Sequence, residues 1–270
     1  MNPVVVAVVL AALLGLFALL FLALWLARRR RRARPRPARA PLIVVVPRHA
    51  VVLAHGLMGF DEIGVWGRRH DYFRGVRQRL HDGGVTVYRP KVPPLASVAV
   101  RAEYLAAFLH ALPEKRVNII AHSMGGLDAR FALARLGVAH RVASLTTIGT
   151  PHRGTPLADL GGNRLAAVIT KVLGAAGLDV EALAEIQTQK MQRFNEKIVD
   201  QKGVFYASVL ASAPAPRRGM HPVLRAGHAY LLKHAGESDG LVPTSSQRWG
   251  RVIDEISADH WAQIGWSWRI

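Results

Sequence analysis

Ser123 lies in the run Asn118-Ile119-Ile120-Ala121-His122-Ser123-Met124-Gly125-Gly126, where an apolar stretch leads directly into a serine with small residues two places before and after it. A serine hydroxyl is presented as a nucleophile on a sharp, strained turn between a strand and a helix. Such a turn tolerates only tiny side chains at those flanking positions. Ala121 stands where glycine is commoner and is still small. A structural serine at a helix start could carry the same pentapeptide, but the strand-like run before it and the helical pattern after it favour a nucleophile, with acyl transfer as its chemistry. Attack on a carbonyl builds an oxyanion that needs backbone donors aimed at it. The stretch His55-Gly56-Leu57-Met58-Gly59 closes the first apolar run of the body, and a glycine there frees the chain to turn. The expected oxyanion donors are the N–H groups of Leu57 and Met124; a plain glycine turn is the bland alternative, and it would leave the elbow without its partner.

Six histidines follow Ser123, at 140, 152, 221, 228, 234 and 260. Where nucleophile, acid and base follow in the order serine, acid, histidine, the histidine sits in the loop beyond the last strand. Only His260 lies beyond the strand candidate Val252 to Ile256, so it is the expected base. Asp254 is inside that run and Asp259 is adjacent to the histidine, too close to orient it across a loop. Asp239, in Glu237-Ser238-Asp239-Gly240-Leu241-Val242-Pro243, occupies a turn before the strand and is the expected acid, holding the imidazole tautomer and stabilising the imidazolium. Glu237 is the alternative acid.

These residues need a scaffold that delivers strand ends to one place. Runs at Ala50 to Ala54, Val85 to Tyr88, Val117 to Ala121 and Val142 to Ile148 read as buried strands, with later candidates at Val204 to Val209 and Val252 to Ile256. Helical patterns at Phe73 to Leu80, Val98 to Leu112 and Leu127 to Leu136 lie between them. Apolar strands alternating with helices predict an α/β fold, a mostly parallel sheet covered on both faces.

With these motifs in this order, the body resembles the bacterial true lipases of the Pseudomonas and Burkholderia type, members of the α/β-hydrolase superfamily. The likeness is carried by His55 to Asp61, the serine elbow, Thr147-Ile148-Gly149-Thr150-Pro151-His152-Arg153-Gly154, Arg193-Phe194-Asn195, Ser238 to Pro243 and Asp259-His260. The resemblance implies an α/β-hydrolase fold, a triad of Ser123, Asp239 and His260, oxyanion donors at Leu57 and Met124, and a lid-like insertion at about 156–200. Within that insertion Leu165, Val168, Ile169, Val172 and Leu173 form an apolar stripe between Gly162 and Gly174, facing either the core or lipid. The departures are specific. The family's structural calcium uses an aspartate two residues after the histidine, where this chain has Ala262, and another about twenty residues before the acid, near Arg217, Arg218 and Gly219. No metal and no organic cofactor is therefore expected, and with no cysteine there is no disulfide.

The 270 residues carry a formal charge of +18, which suggests nucleic acid until the charge is located. Val4 to Ala27 is an uncharged apolar run long enough to cross a bilayer. Eight arginines between Arg28 and Arg39 follow it, interleaved with Pro35 and Pro37. A cleaved secretory signal would put the charge first. The expected organisation is a transmembrane anchor at 1–27, a basic linker at 28–41 and a catalytic domain at 42–270. By the positive-inside bias the arginines stay in the cytoplasm, so the expected place is a bacterial inner membrane, single-pass, with a cytoplasmic catalytic domain. The arginine cluster would face anionic lipid. The partners are then membrane and a lipid or ester substrate, and no nucleic-acid-binding motif is present; oligomeric state is unknown. Arg68, Arg69, Arg74, Arg77 and Arg79 could line one helix but read better as a solvated face. The expected function is a membrane-anchored serine hydrolase cleaving carboxylic, lipid acyl esters. The alternatives are an acyltransferase or phospholipase using the same triad, and a noncatalytic membrane scaffold.

Overall fold

The computed structural model describes residues 46–57, 62–65, 68–160, 184–213 and 219–267, with the backbone alone at 62–65 and 68–70. The chain divides into two compact units, Met1–Val44 and Val45–Ile270. The first lies outside the described residues, and the expected span and arginine linker fall there, as does the stripe from Leu165 to Leu173. Among the described residues no helix is long and apolar enough to cross a membrane.

The elements run β1 (Val51–Ala54), β2 (Glu62–Val65), β3 (Arg68–Asp71), α1 (Val76–Asp82), β4 (Val87–Tyr88), α2 (Val98–Ala111), β5 (Val117–His122), α3 (Gly125–Arg135) and β6 (Val142–Ile148). Then come α4 (Thr188–Lys197), within the insertion, and after it β7 (Phe205–Ser212), α5 (Arg225–His234), the single turn α6 (Thr244–Gln247) and β8 (Arg251–Ser257). Six strands form one sheet in the order β4-β1-β5-β6-β7-β8, with every pairing parallel. Parallel strands deliver all their carboxyl ends to one edge, and ligands of such sheets bind in the crevice there. That edge collects the residues after β1, β5, β6, β7 and β8, which are the segments the sequence marks as chemical.

Burial explains why these runs are strands. Val52, Ile119, Ala121 and Leu145 on one face are fully covered, packed with Ala102, Leu105 and Leu109 of α2 and Ala129, Ala132 and Leu133 of α3. Val51 and Leu53, pointing the other way, are also buried. Each fully buried leucine or isoleucine contributes about 2 kcal/mol. Helix α2 starts where the Ser97 side chain accepts from the Val100 amide, and its buried stripe runs Val98, Ala102, Leu105 and Leu109.

One expectation is corrected and one alternative is set aside. The run Val85 to Tyr88 pairs only at Val87–Tyr88, because the Val85 amide is spent on the Leu80 carbonyl that closes α1. The five arginines do not share a helix: Arg68 and Arg69 belong to β3, which pairs antiparallel with β2, and only Arg77 and Arg79 lie on α1. The left-handed Gly75 (φ 74°) starts that helix at Val76, so Arg74 precedes it too.

Candidate active site

At the end of β5 the chain turns abruptly at Ser123 and enters α3. Ser123 has φ 54°, and among the described residues it is the one non-glycine with positive φ. A serine held there stores backbone strain that its surroundings must offset. The Ser123 amide donates to the Ile148 carbonyl (2.9 Å), and its carbonyl accepts from the Thr150 hydroxyl (2.8 Å). The small residue after the serine has a steric cause: a Cβ on Gly125 would stand 2.6 Å from the His55 carbonyl oxygen and 2.7 Å from that of Ala54. The first turn of α3 thus rests directly on the end of β1.

The structure brings Ser123, His260 and Asp239 together, although they come from three different strand ends. Ser123 Oγ is 3.0 Å from His260 Nε2, and His260 Nδ1 is 2.7 Å from Asp239 Oδ2. A carboxylate only accepts, so Nδ1 carries the proton and Nε2 is free to accept from the serine hydroxyl. Asp239 is fully buried and satisfied, its Oδ1 accepting from the amides of Leu241 (3.0 Å) and Val242 (2.8 Å). Its Oδ2 takes a second donor, Gln263 Nε2, at 2.8 Å. Glu237, the alternative acid, is exposed and offers only its carbonyl, to the Thr244 amide.

Leu57 and Met124 flank the serine. Gly56 packs so closely that a Cβ there would lie 2.7 Å from Ser123 Cβ. Among the described residues the amides of Leu57 and Met124 donate to no protein acceptor. The loop carrying Leu57 is clamped by Arg101, a wholly buried residue of α2. Its Nη2 donates to the carbonyls of His55 (2.8 Å) and Gly56 (3.2 Å), and its Nη1 to that of Pro93 (2.9 Å). Asp128 of α3, also buried, pairs with it at 2.7 Å. In a trans peptide the carbonyl and the next N–H point opposite ways, so gripping the Gly56 carbonyl aims the Leu57 N–H.

Sequence reasoning missed several residues that hold this site. Arg101 and Asp128 were visible as lone charges inside otherwise apolar helical stripes. Gln263 follows His260 by one turn. His228 of α5 meets Ser238 Oγ at 3.1 Å, bracing the acid's loop. Asp259 binds the amides of His221 (2.8 Å), Trp261 (3.1 Å) and Ala262 (2.8 Å), fixing the loop that carries His260. Ala262, two places after the histidine, offers no side-chain oxygen to a cation. Arg217 and Arg218 lie outside the described residues.

Two buried histidines next to the site are held neutral. Burial pushes the His122 ring well below its ordinary range, helped by His260 nearby; burial does the same to His152, helped by Arg130 and Arg153. A histidine whose pKa is depressed on folding stabilises the fold above about 6.5, and that stability is lost as pH falls. Each should cost about 1.4 kcal/mol per pH unit below 6.5 until its folded pKa is reached. Asp128, whose carboxyl burial raises to about 6, opposes with the other sign but is one group against two. Urea midpoints should therefore fall steadily between pH 7 and pH 5; a flat or rising profile would contradict the buried neutral histidines.

Comparison with known proteins places this architecture. The family model for the alpha/beta hydrolase fold matches residues 50–194. A triacylglycerol lipase of Pseudomonas fragi is 28% identical over 259 residues, covering 79% of this chain and 86% of that protein. Triacylglycerol lipase 2 of Saccharomyces cerevisiae is 30% identical over 210 residues, covering 73% of this chain and 63% of the yeast protein. Among solved structures, the mature form of the Bacillus licheniformis lipase BlEst2 superposes with a TM-score of 0.67 at 24% identity, over 86% of this chain and 89% of that one, a likeness of fold. The chain belongs to the α/β-hydrolase fold family, and its similarity to these lipases supports a carboxylic ester hydrolase.

Proposed function

We propose that the chain is a membrane-anchored serine hydrolase that cleaves lipid acyl esters, with Ser123 as nucleophile, His260 as base and Asp239 as its orienting acid. The observation that carries the reading is the continuous path from Ser123 Oγ through the His260 ring to Asp239, at a strained strand-to-helix turn. Ser123 Oγ attacks the ester carbonyl as His260 Nε2 takes its proton, and the oxyanion is met by the N–H groups of Leu57 and Met124. Collapse expels the alcohol, which receives the proton from His260. Water, deprotonated by the same nitrogen, then attacks the acyl-enzyme and releases the acid with Ser123 restored. No metal or organic cofactor enters the scheme.

An apolar acyl group is favoured by what surrounds the oxyanion side. Leu57 and Met124 belong to one apolar cluster with Val98, Leu127, Ile186 and Met191. The relatives named triacylglycerol lipases support the same substrate class. The insertion at about 156–200 would cover this side as a lid. The apolar run Val4 to Ala27 and the arginines after it would tether the domain to the cytoplasmic face of an inner membrane.

The direct test is turnover of a nitrophenyl ester series by the full chain, with labelling by a fluorophosphonate probe. Rates should favour long over short acyl chains; no turnover together with no label would refute the hydrolase reading. Separately, the full chain should sediment with membranes through an alkaline wash, with a C-terminal reporter reading as cytoplasmic. Recovery in the soluble fraction would remove the anchor while leaving the chemistry untouched.

A further inference from the structure

His122 and Tyr72 are polar groups against the site that hydrolysis by Ser123, His260 and Asp239 does not use. Tyr72 follows β3 and His122 ends β5, yet their side chains meet: Tyr72 Oη is 2.7 Å from His122 Nδ1. At one end of this pair the Gly56 amide lies 3.1 Å from Tyr72 Oη, and at the other His122 Nε2 lies 3.0 Å from the His260 carbonyl oxygen. The rings of His122 and His260 are 4.6 Å apart.

The direction of every proton in this chain is fixed by its ends. A backbone amide can only donate, so Tyr72 Oη accepts from Gly56, and a neutral His122 with its one N–H turned to a carbonyl has a bare Nδ1 that accepts from the Tyr72 hydroxyl. A carbonyl can only accept, so His122 Nε2 must carry the hydrogen toward His260. One tautomer satisfies the whole path, the neutral ring protonated on Nε2. Burial holds His122 neutral and pushes the Tyr72 hydroxyl up, so neither group ionises at working pH.

The path joins two pieces of machinery that come from opposite ends of the sequence. Arg101 holds the His55 carbonyl and Tyr72 holds the Gly56 N–H, so both polar atoms of the peptide unit preceding the Leu57 donor are pinned. We propose that Tyr72 and His122 are positioning residues that fix the Leu57 amide and the His260 backbone in one frame, so that oxyanion donor and base keep their distance through the reaction. Gly56 is part of the device: a Cβ there would stand 2.9 Å from Tyr72 Oη, so only glycine lets the hydroxyl seat against the loop. This inference rests on the hydrolase reading.

The test is Tyr72→Phe in the full chain, with His122→Gln and His122→Ala beside it. Tyr72→Phe keeps the ring and removes the one atom that joins Gly56 to His122. Misplacement on the ångström scale costs up to about a hundredfold in rate, so kcat for a soluble nitrophenyl ester should fall by about tenfold to a hundredfold with KM little changed. The end point of fluorophosphonate labelling should stay that of the wild type while its rate falls with kcat. His122→Gln, which keeps a donor for the His260 carbonyl, should retain more rate than His122→Ala. Nitrogen NMR of the wild type should show His122 protonated at Nε2 and bare at Nδ1. The proposal is overturned if Tyr72→Phe turns over at the wild-type rate, if its labelling end point drops in step with kcat, or if the NMR tautomer is the reverse. Failure of the hydrolase reading would look different, since the wild type itself would then neither turn over nor label.

Discussion

Ser123→Ala is expected to lower kcat for nitrophenyl esters by roughly a million-fold and to abolish fluorophosphonate labelling, while leaving the fold nearly as stable as before. The magnitude follows from how a nucleophile and its base act as one unit: removing either alone costs about as much as removing both, and what survives comes from the oxyanion donors and binding. Here the unit is tightly drawn, with Ser123 Oγ 3.0 Å from His260 Nε2 and His260 Nδ1 2.7 Å from Asp239. Stability should change little, because alanine keeps the backbone at φ 54° and the bonds to Ile148 and Thr150 are made by backbone atoms of residue 123. Only the hydroxyl's own hydrogen bond is lost, worth about 1 kcal/mol. His260→Ala and the double variant should be as inactive as Ser123→Ala, not additively worse. A tenfold loss, or persistent labelling, would mean that another group attacks the carbonyl.

The proposed nucleophile is legible because the requirements of such a serine are local: a strained turn demands small neighbours, and Ala121 and Gly125 satisfy that within five residues. The proposed acid and base are legible through chain order, since a parallel sheet sends Asp239 and His260 to the same edge as Ser123. The supporting residues were not, because their partners are remote. Tyr72 acts on His122, fifty residues on, and His122 acts on a backbone carbonyl at residue 260. No periodicity encodes a side chain that works through another segment's peptide groups. The ribbon formed by β2 and β3 escaped for a different reason: the arginines at 68 and 69 looked continuous with those of α1, and a short turn from Tyr72 to the left-handed Gly75 separates the two elements. Arg101 was visible but ambiguous, as an arginine on the buried stripe of a helix breaks the pattern without saying what it meets. Its partner, Asp128, sits in the same position on α3, and the two anomalies explain each other.

That pair supports the second large effect. Arg101→Met should destabilise the domain by about 3–5 kcal/mol, the usual cost of leaving one member of a buried ion pair alone. The cost has named components: a buried Asp128 carboxylate without its cation, and the carbonyls of His55, Gly56 and Pro93 without their donor. Its pH dependence has a definite sign. Burial raises the Asp128 carboxyl from 3.8 to about 6 even with Arg101 opposing the shift. A raised pKa means that the group's contribution to stability is full below about 3.8 and declines as pH climbs through the folded value. Without the guanidinium that value moves higher still, so the penalty keeps growing above pH 6, at about 1.4 kcal/mol per unit. Arg101→Met should therefore be more damaging at pH 8 than at pH 5, which urea midpoints at the two values will show. Pairing it with Asp128→Leu, which removes the orphaned charge, should restore much of the stability. It should not restore kcat, because the Gly56 carbonyl that aims the Leu57 amide stays unheld. Equal destabilisation at both pH values, or recovery of activity along with stability, would separate the ion pair from the oxyanion loop.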